Sequence, residues 1–147
     1  MNCNETLFDV ITSIEALPFD GESSIKTMSV HSKRVSESEL SSLASGKIDV
    51  PMKPKSCSYS EKASSSIPGD SYEVTVNWQV QKCESDEYDI LESLHDNHNH
   101  LIIRTYGGGT MFVRCEEHGY DFTYSEKDGL IECELTIHNK DGIQRVI

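Results

Sequence analysis

With 147 residues, 36% of them hydrophobic and 7% aromatic, the chain is long enough to bury one core and lean enough that part of its length is expected to lie outside it. The formal net charge is −12: residues 72–147 hold 15 Asp/Glu against 6 Lys/Arg (−9), and residues 1–71 hold 10 against 7 (−3). A field of this sign repels nucleic-acid backbones and does not attract anionic membranes, which excludes ordinary nucleic-acid binding as a first reading.

The amino terminus, Met1-Asn2-Cys3-Asn4-Glu5, has neither a basic n-region nor an apolar h-region, so no secretory signal is expected. No apolar run approaches the roughly 20 residues of a membrane span, and no membrane partner is expected. Five irregularly spaced cysteines do not make a disulfide framework, and synthesis in a reducing cytoplasm follows as the expectation. Residues 7–19 fit a helix through Leu7, Val10, Ile11, Ile14 and Leu17, and a strand through Phe8, Val10, Thr12, Ile14 and Ala16. Their β-branched content and Pro18 favour the strand.

Residues 21–71 contain 16 serines in 51 positions and little apolar density. A short strand is expected within 25–35. Ser36 and Glu39 form a capping box ahead of Leu40 and Leu43, and Gly46 is a natural stop, which predicts a two-turn helix over 37–45. From Pro51 to Gly69 the Pro residues and the Ser64-Ser65-Ser66 run read as loop. The whole stretch reads as a polar arm that contacts partners through Ile25, Met28, Val30, Leu40 and Leu43, with a mobile loop as the other reading.

From Tyr72 the pattern sharpens. Tyr72, Val74, Val76, Trp78 and Val80 alternate with Glu73, Thr75, Asn77, Gln79 and Gln81, the period of a half-buried strand. Ser85 is placed to cap a helix whose first turn is Asp86-Glu87 and whose apolar stripe is Ile90, Leu91 and Leu94, ending near His95. Runs at 101–106 and 110–115 flank Gly107-Gly108-Gly109 as a hairpin. Three further strands, at 120–125, 130–138 and 143–147, are separated by Glu126-Lys127-Asp128-Gly129 and Asn139-Lys140-Asp141-Gly142. The expected fold is a single, mainly β (α+β) domain over 1–147: an antiparallel β-sandwich or barrel in 72–147, one packed helix, and the polar arm or loop of 21–71.

The candidate chemistry is sparse. His95, His98 and His100 with Asp96 have the density of a zinc site but sit on a polar helix-to-strand connection, where a solvated loop is the simpler reading. Cys115 and His118 stand three apart without a second close-spaced pair. Gly107-Gly108-Gly109 lacks the Lys-Ser/Thr and the following helix of a phosphate loop. Glu132 and Glu134 share one strand face, solvated in a monomer or lining a channel in an oligomer. Neither catalytic residues nor a cofactor are expected. Ile143, Gln144 and Arg145 lie on a last strand expected to form an unpaired edge, which closure of a ring of copies would protect.

Three features together give an architectural resemblance: a single helix between strands at 86–95, a long polar segment at 21–71, and a C-terminal series of Gly-turn hairpins ending in Gly142-Ile143-Gln144-Arg145. In this layout the chain resembles the small structural proteins of tailed bacteriophages, of the tail-tube and neck-ring type. The resemblance implies rings of a tail tube, tail terminator or head–tail connector, made in the host bacterial cytoplasm and ending in the virion. Its partners would be other copies of itself and other virion proteins, with DNA only as passing, repelled cargo past an acidic lumen, for which Glu132 and Glu134 are the candidates. The rival readings are a small acidic inhibitor that mimics nucleic acid and a metal-binding regulatory domain built on the 95–100 loop.

Overall fold

The computed structural model describes residues 10–19, 34–35, 47–66, 69–81, 85–116 and 118–146. The proposed contacts Ile25, Met28, Val30, Leu40 and Leu43, and the expected helix over 37–45, lie outside them. The described elements are β1 (Ile11–Pro18), β2 (Arg34–Val35), β3 (Ile48–Val50), β4 (Ser58–Ser66), β5 (Gly69–Gln81), α1 (Ser85–Asp96), β6 (Asn99–Thr105), β7 (Thr110–Val113), β8 (Tyr120–Lys127), β9 (Leu130–Asn139) and β10 (Ile143–Val146). They form two sheets packed face to face, the expected mainly β sandwich with one helix. The larger sheet runs β2-β10-β7-β6-β1-β3 and the smaller β4-β5-β9-β8. Every pairing is antiparallel except the two-residue contact between β10 and β2.

Alternation builds the core. Val74, Val76, Trp78 and Val80 of β5, with Ile131, Cys133, Leu135 and Ile137 of β9, present one buried face. Against it lie Ile14 and Ala16 of β1, Leu101 and Ile103 of β6, and Met111 and Val113 of β7. Trp78 stacks on Phe122 at 5.7 Å between ring centroids. Leu91 and Leu94 of α1 reach this core, and the helix ends where both the backbone N–H and the side-chain amide of Asn97 donate to the Ser93 carbonyl (3.0 and 3.1 Å). Two turn residues carry the β8–β9 hairpin: Asp128 (φ 54) and Gly129 (φ 81) both adopt the left-handed conformation, as a type I′ turn demands. At Gly119 a Cβ would stand 2.7 Å from the Cβ of His138, so the close approach there needs glycine.

Two expectations need correction. Residues 51–69 are not a loop throughout: β4 occupies nine of them and pairs with β5 from Ser58↔Asn77 to Ser66↔Gly69. Part of the serine-rich stretch therefore belongs to the sandwich, and its removal would take away β2, β3, β4 and the start of β5. The last strand is not an unpaired edge either. Ile143, Gln144 and Arg145 pair with Val113, Phe112 and Met111 on one side, and Arg145 and Val146 pair with Arg34 and Val35 on the other. Gln144 is fully buried, which a solvated edge does not allow.

Candidate assembly surface

The smaller sheet carries the surface with the clearest functional potential. Its central strands β5 and β9 alternate, so one face of the sheet is apolar core and the other is polar. On the polar face Thr75, Asn77 and Gln79 of β5 stand beside Thr136, Glu134 and Glu132 of β9, which stand beside Asp121, Thr123 and Ser125 of β8. The Thr75 and Thr136 hydroxyls are 3.4 Å apart and form a cross-strand hydrogen bond. Glu132 and Glu134 are exposed on this face, where the sequence placed them. Four carboxylates (Glu73, Asp121, Glu132, Glu134) meet two amines (Lys62, Lys127), and His138 stands 4.0 Å from Glu73. The face carries hydroxyls, amides and surplus negative charge.

This sheet ends in β4 on one side and β8 on the other. Residues 58–63 of β4 are all exposed, including Tyr59 at 43%. Backbone phase at β4 follows from the residues just before it. Ser56 accepts from the Gln79 N–H through its hydroxyl (3.1 Å), and the Lys53 N–H donates to the Gln79 carbonyl (2.6 Å), so Gln79 turns both groups toward the β4 side. Period-2 alternation then points the N–H and C=O of Ser58, Ser60 and Lys62 at β5, and those of Tyr59, Glu61 and Ala63 away from the sheet. The same counting through β9 turns the backbone groups of Tyr120, Phe122 and Tyr124 away from β9. The inner-face side chains of β8 meet the helix: Tyr120 donates to the Leu94 carbonyl (2.7 Å), Tyr88 to Glu126 (2.6 Å), and the Tyr124 ring lies edge-on to His95.

The three histidines do not form one site. His95 is exposed and bonded to Asp96 at 3.2 Å, and His98 is exposed and stacked on Tyr120. His100 is buried, with Phe19 edge-on and Phe112 against it; its Nδ1 accepts the Cys115 N–H at 2.7 Å, which places an imidazole where a ladder carbonyl would stand. Among the described residues no three His, Cys, Asp or Glu side chains are grouped to hold a metal ion. The Cys57, Cys115 and Cys133 thiols are all pushed up to about 12 by burial, with Glu116 adding to the effect at Cys115, so none is a ready thiolate.

The larger sheet buries polar groups on the face turned from the sandwich core. Glu15 accepts from Arg104 (2.6 Å) and lies 2.5 Å from Lys47. Burial raises its pKa, but the hydrogen bonds and charges of Lys47 and Arg104 outweigh that and hold it below the ordinary carboxylate value. Arg114 and Asp141 form a 3.5 Å ion pair with both side chains 2% exposed. Asn139 closes the β9–β10 turn: its carbonyl oxygen accepts the Gly142 N–H and its amide donates to the Arg114 carbonyl (2.8 Å). These contacts hold the sheet together and do not converge on a cleft.

Hydrophobic patterning had no means of revealing β4, because both of its faces are polar or small and only Tyr59 interrupts them. Nor does anything in the sequence state that β4 and β8 bound the same sheet. No helix among the described residues is long and apolar enough to cross a membrane, which leaves strand-built spans unaddressed. No protein-family model, curated protein or solved structure matches the chain.

Proposed function

We propose that this chain is a non-enzymatic structural subunit that assembles into rings through the smaller sheet, as a virion protein of the tail or neck of a tailed phage. One observation carries the reading: a four-stranded, fully antiparallel sheet ends in two long strands that run in opposite directions, with a largely polar, net-acidic face between them. Because the strand number is even, β8 of one copy is antiparallel to β4 of the next under simple rotation. The ladder then continues from copy to copy without reversal, and closure removes both edges. Glu132 and Glu134 would line the lumen with Glu73, Asp121 and the hydroxyls, where surplus negative charge keeps a DNA backbone from adhering. Other virion proteins are the remaining partners in this reading.

A second reading keeps a foothold in α1, whose exposed Asp89, Glu92 and Asp96 recur at i, i+3 and i+7 as a row of acids along one helix face. That row suits an inhibitor that mimics a nucleic-acid backbone. Negative-stain imaging of the purified full chain at high concentration separates the two: rings or tubes support the structural subunit, whereas dispersed monomers that bind a nuclease or polymerase support the mimic.

A further inference from the structure

Resting on the ring reading, the inference concerns which residues meet across the joint. We propose that β4 of one copy pairs with β8 of the next in a single register, set by Lys62 opposite Asp121.

Two conditions restrict the possibilities. The polar faces of both copies must lie on the same side, and backbone groups that point outward on β4 must meet those that point outward on β8. Lys62 and Asp121 are both on the polar face, and Ala63 and Tyr120 are both outward-pointing, so antiparallel pairings in which Lys62 opposes an odd-numbered β8 residue satisfy both conditions. Within that set only Asp121 offers Lys62 an opposite charge. Sliding by two residues one way puts Lys62 against Thr123 and Ser58 against Lys127; sliding the other way puts it against Gly119.

The chosen register also aligns Ser60 with Thr123 and Ser58 with Ser125 on the polar face, and Tyr59 with Tyr124 on the inner face. Tyr59 is one of two large apolar side chains exposed among the described residues, and in this pairing it gains an aromatic neighbour. Both Lys62 and Asp121 are exposed, and neither takes part in an ion pair among the described residues. The alternative of β4 pairing with β4 of a second copy is disfavoured by the same charges. A two-fold axis normal to the sheet, centred on the strand, places Glu61 against Glu61 or Lys62 against Lys62. The charges thus favour a head-to-tail joint, which closes into a ring, over a symmetric dimer.

Cysteine pairing reads the register directly. Ser60 and Thr123 would be a non-hydrogen-bonded pair with Cα atoms about 4.5 Å apart, within disulfide reach. The Ser60→Cys/Thr123→Cys chain is expected to crosslink under mild oxidation into a ladder ending at the ring size. The Ser58→Cys/Thr123→Cys chain, displaced by about 7 Å along the strand, is expected to crosslink at least tenfold less. In parallel, Lys62→Glu and Asp121→Lys are each expected to raise the concentration needed for assembly by about tenfold, and their combination to restore it to within about threefold. Rings formed by the wild-type chain whose cysteine variants crosslink only through the displaced pair, or whose assembly tolerates both single charge swaps, overturn the register while leaving assembly standing. A wild-type chain that stays monomeric at all concentrations overturns the ring reading and the joint with it.

Discussion

Glu15 shows how much a single buried charge does in this sheet. Its carboxylate is held below the ordinary value, so protonation costs the hydrogen bonds from Lys47 and Arg104. A depressed carboxyl pKa confers stability that is fully present above the unfolded-chain value of about 4.5 and is lost as pH falls through the folded value. Glu15→Gln is expected to lower stability by about 1–2 kcal/mol at pH 7, discounted because both cationic partners are more than a third exposed. The difference from wild type should shrink as pH falls below the unfolded-chain value of about 4.5 and through the lower folded value. Urea unfolding followed by fluorescence of Trp78, the chain's one tryptophan and a core residue, measures both. At Arg114 the stakes are higher, because truncation takes a buried cation away from the buried Asp141 carboxylate. Arg114→Ala is expected to cost about 3–5 kcal/mol in the same assay. The thiols make a third residue-scale case: half-buried Cys57 and buried Cys115 and Cys133 should resist iodoacetamide at pH 8 in the folded chain and react on unfolding, as mass spectrometry of the labelled peptides would record.

At the scale of elements, β4 decides both the fold and its proposed use. Proline substitution separates the two roles because alternate backbone groups point in opposite directions. Lys62→Pro removes an N–H aimed at β5 and should destabilise the subunit by at least about 1 kcal/mol. Ala63→Pro removes an N–H aimed away from the sheet, so it should leave the unfolding midpoint within about 0.5 kcal/mol of wild type yet block assembly. Circular dichroism with sizing distinguishes these outcomes. The elements from β5 onward were legible in the sequence because burial on one face imposes a two-residue period, and because Asp128-Gly129 and Gly107-Gly108-Gly109 mark their turns. β4 escaped notice for the converse reason. An edge strand exposed on both faces carries no period, and its stability comes from hydrogen bonds to β5 that leave no trace in side-chain pattern. The third histidine misled for a related cause: His100 looked like part of a loop cluster, but it lies inside β6 and serves as a buried acceptor.

Over the whole molecule, the two sheets differ in what their outer faces carry. The larger sheet secures itself with one buried and one half-buried ion pair and a second small apolar cluster of Leu17, Ile102 and Phe112. The smaller sheet has one apolar face in the core, one polar face outward, and two long terminal strands. That asymmetry is what the ring account explains, and native mass spectrometry of the full-length chain over a wide concentration range tests it most directly. The account predicts one discrete, closed multiple of the 16.5 kDa subunit that Ala63→Pro abolishes. A chain that remains at the subunit mass at the highest concentration, or whose oligomer is indifferent to Ala63→Pro, would contradict it.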